Sequence, residues 1–162
     1  MIRNGTTYIV AGLIIFSPNP AHAESSLVVR PQAGYGYLDA GGSGGSGGVG
    51  HAGVRVLLGA GGNKRYGLEA TRFSMEDSRG FGSLGIVLEQ RLWSWFNMSI
   101  GTVGYFGYGA NSENPVGLMT NLGWEPGQYK GFTPFVTYRN DIIFSRNTDV
   151  VHSVSLGVAF GF

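Results

Sequence analysis

The sequence predicts an all-β protein, an eight-stranded antiparallel up-and-down transmembrane β-barrel. Apolar residues alternate with small or polar ones in eight segments of roughly 9–13 residues, the length that a tilted strand needs to cross a bilayer. The connections between these segments alternate between shorter and longer stretches. Only 13% of the residues are charged, whereas 29 of the 162 residues are glycine, which disfavours helices.

The composition excludes several classes of protein. A disordered chain would be more charged and poorer in aromatic residues, which make up 13% of this sequence. Without cysteine, neither a disulfide framework nor a thiolate metal site can form. A net charge of +1 provides no basic field that would attract nucleic acid. We therefore expect no nucleic-acid partner, no metal and no cofactor.

Residues 1–23 have the features of a cleaved secretory signal peptide. Arg3 supplies positive charge, residues 8–16 form an apolar core, and Ala-His-Ala at 21–23 has the small-x-small pattern of a signal-peptidase site. The core of about nine residues is too short for a membrane anchor, which needs about 20. The sequence thus predicts export, with the barrel formed by residues 24–162.

The predicted strands occupy 27–38, 50–58, 65–74, 83–92, 97–107, 116–125, 132–143 and 150–162. The first, third and fifth alternate less regularly than the others. The apolar sides of the regular strands are, in order, Ala52, Val54, Val56 and Leu58; Leu84, Ile86, Leu88 and Leu92; Val116, Leu118, Leu122 and Trp124; and Pro134, Val136, Tyr138 and Ile142.

The eighth segment shows the alternation most clearly. One side carries Val150, His152, Val154, Leu156, Val158, Phe160 and Phe162, and the other carries Val151, Ser153, Ser155, Gly157, Ala159 and Gly161. A period of two is typical of a strand whose faces meet different environments.

The connections predict the orientation of the barrel. Gaps 39–49, 75–82, 108–115 and 144–149 are polar or glycine-rich and mostly longer, whereas 59–64, 93–96 and 126–131 are shorter. Transmembrane barrels have short turns on the periplasmic side and longer loops outside. The charged loop residues are expected to be solvated, or to contact lipopolysaccharide or a surface ligand: Glu76, Asp77, Arg79, Glu113, Arg146 and Asp149.

The charged residues decide which face lines the interior. In a soluble lipocalin-like barrel the apolar face would point inward and the polar face would meet water. A membrane barrel requires the opposite, and an apolar outer face in water would aggregate. The polar face carries charges that can pair in a narrow bore, namely Arg30, Arg55, Arg91, Arg139, Glu69, Glu89, Glu125 and Asp141. We therefore predict a lipid-facing apolar wall, which Arg72, Gln90 and Asn140 fit poorly.

Aromatic residues cluster near the predicted strand ends. Amphipathic rings favour the headgroup zone, so we expect two lipid-facing girdles. The turn-side set is Trp93, Trp95, Phe96, Trp124, Tyr129, Phe132, Phe160 and Phe162. The loop-side set is Tyr35, Tyr37, Phe73, Phe81, Tyr105, Phe106, Tyr108 and Phe144.

The closing residues 155–162, with Leu156, Val158, Phe160 and Phe162 on one side, resemble the C-terminal strand of bacterial outer-membrane barrels. The chain is similar in pattern over 24–162 to the small eight-stranded OmpA/OmpX-type barrels. The resemblance implies a bacterial outer-membrane location and contact with outer-membrane lipids and lipopolysaccharide. It also implies recognition of the last strand by the barrel-assembly machinery. We further expect a monomer.

Three motifs could carry chemistry instead. The tract 41–48 matches G-x-G-x-x-G and G-x-S-x-G, but a glycine–serine tract matches both by chance and here predicts a flexible loop. His152 and Ser155 invite comparison with PagL-type lipid A deacylases, yet they fall on opposite faces of the last strand. His51 with Glu69 or Glu89 could form a metal or acid–base site, although ion pairing with arginine is the simpler interpretation.

Four functions remain open from the sequence. The preferred one is a non-enzymatic barrel that supports membrane integrity or adhesion through short loops, with its lumen plugged by arginine–carboxylate pairs. The others are a narrow pore for small solutes, a lipid A-modifying hydrolase and a soluble lipocalin-like carrier.

Overall fold

The computed structural model describes residues 27–41, 46–59, 63–76, 80–109 and 113–162. The predicted signal peptide, the centre of the glycine–serine tract, Asp77 and Arg79 lie outside the described residues. Within the described ranges, no helix has the length and apolarity needed to span a membrane.

Eight strands follow one another along the chain. They are β1 (Leu27–Asp39), β2 (Gly47–Gly59), β3 (Lys64–Met75), β4 (Gly80–Trp93), β5 (Phe96–Phe106), β6 (Val116–Trp124), β7 (Phe132–Phe144) and β8 (Thr148–Gly161). Every predicted strand is present, and its bounds differ by only a few residues from those expected. The largest extensions are at the starts of β2 and β4, where glycines continue the ladder.

The strands form one closed antiparallel barrel in sequence order. β8 pairs with β1, with Gly34 opposite Ser155, so neither terminal strand is left as an open edge. A Cβ at Gly34 would clash with the backbone carbonyl oxygen of Val154 on β8, so the close approach of β1 and β8 here requires glycine. The predicted fold class is confirmed.

The two ends of the barrel differ less in loop length than the sequence suggests. We call the end with connections 40–46, 76–79, 107–115 and 145–147 the loop end. The turn end carries connections 60–63, 94–95 and 125–131, together with the start of β1 and the end of β8. The connection 145–147 is short because β8 begins at Thr148. The connection 125–131 is long because Pro126 removes a ladder donor and Gly127, Lys130 and Gly131 have positive φ angles.

Burial follows the period of two in every strand. Val151, Ser153 and Ser155 of β8 are buried inside, whereas Val154 and Leu156 are exposed outside. The interior holds two apolar clusters, one at each end, with charged residues between them. The core of the protein therefore lies in the bore, by which we mean the space that the eight strands enclose and the inward-facing side chains occupy.

Candidate functional site: the charged bore

Charged side chains fill the middle of the bore. Buried among the side chains predicted to line it are Arg30, Arg55, Glu69, Glu89, Glu125, Arg139 and Asp141. Arg91, also predicted there, lies at the turn end with 43% of its side chain exposed. Alternate residues of a strand point to one face. Because the barrel is closed, the inward faces of all eight strands meet in one interior, which brings distant parts of the sequence together.

The central cluster surrounds Arg139 of β7. Its Nε lies 2.6 Å from Oδ2 of Asp141, and its Nη1 donates to Glu69 of β3. Nε of Arg55, on β2, donates to Oε2 of the same Glu69 at 2.7 Å. The guanidinium of Arg139 also lies 5.3 Å from the ring centre of Phe73. These contacts tie β7 to β2 and β3 across the bore.

A second cluster surrounds Arg30 of β1, nearer the turn end. Its Nη1 donates to Oε2 of Glu89 at 2.6 Å, and its Nη2 donates to Oε1 of Glu125 at 2.5 Å. Asn97 adds a donor to Glu125 at 2.8 Å. Nη1 of Arg55 lies 3.6 Å from Oε2 of Glu89, which links the two clusters into one network.

Two further arginines complete the network at the turn end. Nη1 of Arg65 lies 3.5 Å from Oε1 of Glu89, and Nη2 of Arg91 lies 3.3 Å from Oε2 of Glu125. Arg65 was not among the residues predicted to line the bore, although it lies within the predicted third strand on the same face as Glu69. Strand alternation counted back from Glu69 would have identified it.

Pairing is what allows these charges to be buried. An unpaired ion inside a protein is destabilising by several kcal/mol, but each of these carboxylates meets at least one guanidinium. Arg139 and Asp141 are inaccessible to solvent. The network therefore joins strands on different sides of the barrel through its interior.

An apolar layer lies in the bore at the loop end. Its members are Leu38, Val49, Phe73, Phe81, Val87, Val103, Tyr105, Tyr108, Met119, Ile143 and Val151. Phe73 and Phe81 stack with ring centres 4.6 Å apart. The Tyr105 hydroxyl donates to Oδ1 of Asp141 at 2.7 Å, so the layer rests directly on the charged network.

The predicted loop-side aromatic girdle is wrong in part. Phe73, Phe81, Tyr105 and Tyr108 point into the bore and not to lipid. The reason is strand parity, since Phe73 lies four residues after the inward-facing Glu69. The members of that set on the outer wall are Tyr35, Tyr37, Phe106 and Phe144.

Asp149 joins three loops above the apolar layer. Its Oδ1 accepts a hydrogen bond from the Gly41 amide at 2.9 Å. Its Oδ2 accepts hydrogen bonds from the hydroxyls of Tyr108 and Ser145, each at 2.9 Å. The expectation of a solvated Asp149 is wrong, because this carboxylate is buried by the loops it holds. Its position just inside β8 was the only sequence signal.

The alternative chemical sites gain no support from the geometry. His51 is buried in the bore with Nε2 3.3 Å from the Ser155 hydroxyl oxygen. Among the described residues, no group of three histidine, aspartate or glutamate side chains is arranged to hold a metal. His152 faces outward with Nδ1 2.9 Å from the Tyr138 hydroxyl, whereas Ser153 and Ser155 point inward.

The outer wall is apolar around most of the cylinder. Large exposed side chains include Leu68, Leu84, Ile86, Val116, Leu122, Val154 and Leu156. Trp93, Trp95 and Trp124 are exposed at the turn end. Of the residues that fit this wall poorly, Arg72 directs its guanidinium towards Gly80 at the loop end. A surface this apolar, around a charged interior, suits hydrocarbon and not water.

Comparison with solved structures finds the same fold in known membrane barrels. The crystal structure of Neisserial surface protein A superposes with a TM-score of 0.66 at 15% identity, covering 86% of this chain and 100% of that one. The chain has the fold of the small outer-membrane β-barrels. A designed transmembrane β-barrel superposes with a TM-score of 0.50 at 11% identity, covering 87% of this chain and 98% of that one.

No protein-family model and no curated protein sequence matches the chain. The comparisons therefore show the fold of the small outer-membrane β-barrels, and the apolar wall agrees with a position in a membrane.

Proposed function

We propose that the protein is a closed barrel with a structural or surface-interaction role in the outer membrane, acting neither as a pore nor as an enzyme. The observation that carries the proposal is the filled bore, with its charged network in the middle and its apolar layer at the loop end. An eight-stranded barrel has an interior only wide enough for side chains. Here those side chains are large and paired across the cylinder.

Two barriers in series support a plugged lumen. An ion entering from the turn end meets carboxylates already bound to guanidinium groups, and separating a buried pair is costly. Beyond them lie stacked rings, which offer no ligands to replace hydration. The role proposed for the network is therefore to stabilise and seal the barrel.

The outer wall supports contact with outer-leaflet lipids and lipopolysaccharide. A groove of about 690 Å³ runs over the glycines of β1 and β2 near the loop end, beside Tyr35, Tyr37 and His152. The Tyr35 hydroxyl donates to Glu76 at 2.6 Å along its edge. Adhesion to a host or another surface would use the same end. Because the ladder closes on itself, a monomer is sufficient.

Single-channel recording in planar bilayers tests the proposal. We expect no steady conductance at neutral pH from protein whose folding is verified by a gel shift between unheated and boiled samples. A large-pore porin inserted in the same bilayers controls for the assay. A stable open level at constant voltage would contradict the plugged lumen and favour the narrow pore. Mass spectrometry of lipid A with and without the protein separately tests the hydrolase alternative.

A further inference from the structure

The charges of the network do not balance. Five guanidinium groups join four carboxylates in the described network: Arg30, Arg55, Arg65, Arg91 and Arg139 with Glu69, Glu89, Glu125 and Asp141. Arginine stays protonated in proteins. With its carboxylates ionised, the network has one more positive charge than negative charges.

The excess charge lies at the turn end. The short contacts in the network, of 2.6 Å or less, belong to Arg30, Arg55 and Arg139. Arg65 and Arg91 are held only at 3.5 and 3.3 Å, by carboxylates that Arg30 already binds more closely. Their side chains are 26% and 43% exposed, whereas those of the other three are at most 5% exposed.

A cleft lies between these two side chains. It has a volume of about 50 Å³ and is lined by Asn63, Arg65, Glu89 and Arg91. The Arg91 amide donates to the Asn63 carbonyl at 2.8 Å, which holds Asn63 beside the cleft. The Glu89 carboxylate at its edge is neutralised by Arg30. The cleft is thus a small, polar space with more positive than negative charge around it.

We propose that this cleft binds one small oxyanion, of the phosphate or carboxylate class, between Arg65 and Arg91. A guanidinium offers paired donors that match two oxygens of such an anion. The anion would supply the missing negative charge of the network and brace β3 against β4, which pair at Arg65 and Glu89. This inference rests on the barrel fold and does not depend on whether the lumen conducts.

Phosphorus NMR of inorganic phosphate titrated into the full barrel in non-ionic micelles tests the site. We expect saturable line broadening at constant ionic strength. Arg65→Gln and Arg91→Gln should each raise the half-saturating phosphate concentration about tenfold or more, since each removes a charge-assisted donor pair. Arg91→Gln is the safer variant, because its side chain is the more exposed of the two.

Arg146→Gln is the matched control, since it removes an exposed guanidinium at the loop end, 3.2 Å from Glu113. It should bind phosphate as the unmodified protein does. Adding a short-chain anionic phospholipid to the micelles separates two sources of the same chemistry: competition indicates a lipid phosphate, and its absence indicates a free anion. No saturation in the unmodified protein, or equal weakening by Arg146→Gln, would overturn the proposal.

Discussion

Arg139 shows how two buried carboxylates depend on one guanidinium. Removing its guanidinium leaves Glu69 with Arg55 but leaves Asp141 with only the Tyr105 hydroxyl among the contacts described. We predict that Arg139→Met lowers the free energy of unfolding by about 3–5 kcal/mol, the usual penalty for stranding a buried charge. Urea titration in detergent micelles, followed by tryptophan fluorescence, measures it.

Two comparisons make the Arg139 prediction specific. Adding Asp141→Asn to Arg139→Met should recover part of the loss, because the stranded charge is then gone. Arg146→Ala, at a side chain 80% exposed, should change stability by less than about 1 kcal/mol. Equal effects of Arg139→Met and Arg146→Ala would show that the central cluster does not stabilise the barrel.

Tyr108 and Asp149 give a residue-scale prediction for pH. Burial raises the pKa of the Tyr108 hydroxyl above its usual value of 10, and the hydrogen bond to Asp149 raises the pKa further. The stability gained from the neutral phenol is therefore present below pH 10 and is lost as the pH rises above it. We predict that Asp149→Ala moves the Tyr108 pKa back towards its usual value.

Ultraviolet titration of phenolate measures this pKa. The Tyr108 signal is the difference between the protein and its Tyr108→Phe variant, recorded with and without Asp149→Ala. An unchanged difference curve would mean that Asp149 does not bind the hydroxyl in solution.

At the level of the strand, the sequence predicts which segments form strands and which residues share a face. It predicts less well what surrounds each face. Alternation identified all eight strands, because one wall of each faces a different medium from the other. It did not show that the inward side changes from charged to aromatic along β3, between Glu69 and Phe73. Such a change depends on how eight strands stack their layers, which no single strand encodes.

Alternation along a strand does not determine which residues of the bore contact one another. Arg30 reaches Glu89 on β4 and Glu125 at the end of β6, and Asp149 reaches loops from two other hairpins. The sequence indicated that these charges would share one interior. The particular partners depend on the barrel's stagger and on side-chain length, which alternation does not specify.

The last strand carries the proposed assembly signal, Leu156, Val158, Phe160 and Phe162. Phe162 is 78% exposed, so its ring contributes little to packing in the folded barrel. We predict that Phe162→Ala reduces insertion severalfold in vesicles containing the barrel-assembly machinery, while spontaneous folding in micelles is retained.

Phe144→Ala is the control for Phe162→Ala, because Phe144 is also exposed but lies at the loop end of β7. It should insert normally. If both variants insert equally well, or both fail equally, the terminal phenylalanine is not a specific signal.

At the scale of the whole molecule, the barrel has the reverse polarity of a soluble globular protein. Its outside is the apolar wall, and its inside holds the ions that a soluble protein would keep on its surface. The same polar face that satisfies the charges also fills the bore. One arrangement of side chains therefore gives the barrel both its apolar outside and its packed, charged inside.

Methyl NMR in lipid nanodiscs tests that inversion most directly, with Val154 and Val151 of β8 as a matched pair. Their exposed fractions are 52% and 0%, although they are the same residue type on one strand. We predict cross-relaxation between lipid acyl chains and the methyl groups of Val154, Leu156 and Val158, and none for Val151 or Val87. Acyl-chain contact at Val151 with none at Val154 would contradict the inverted barrel.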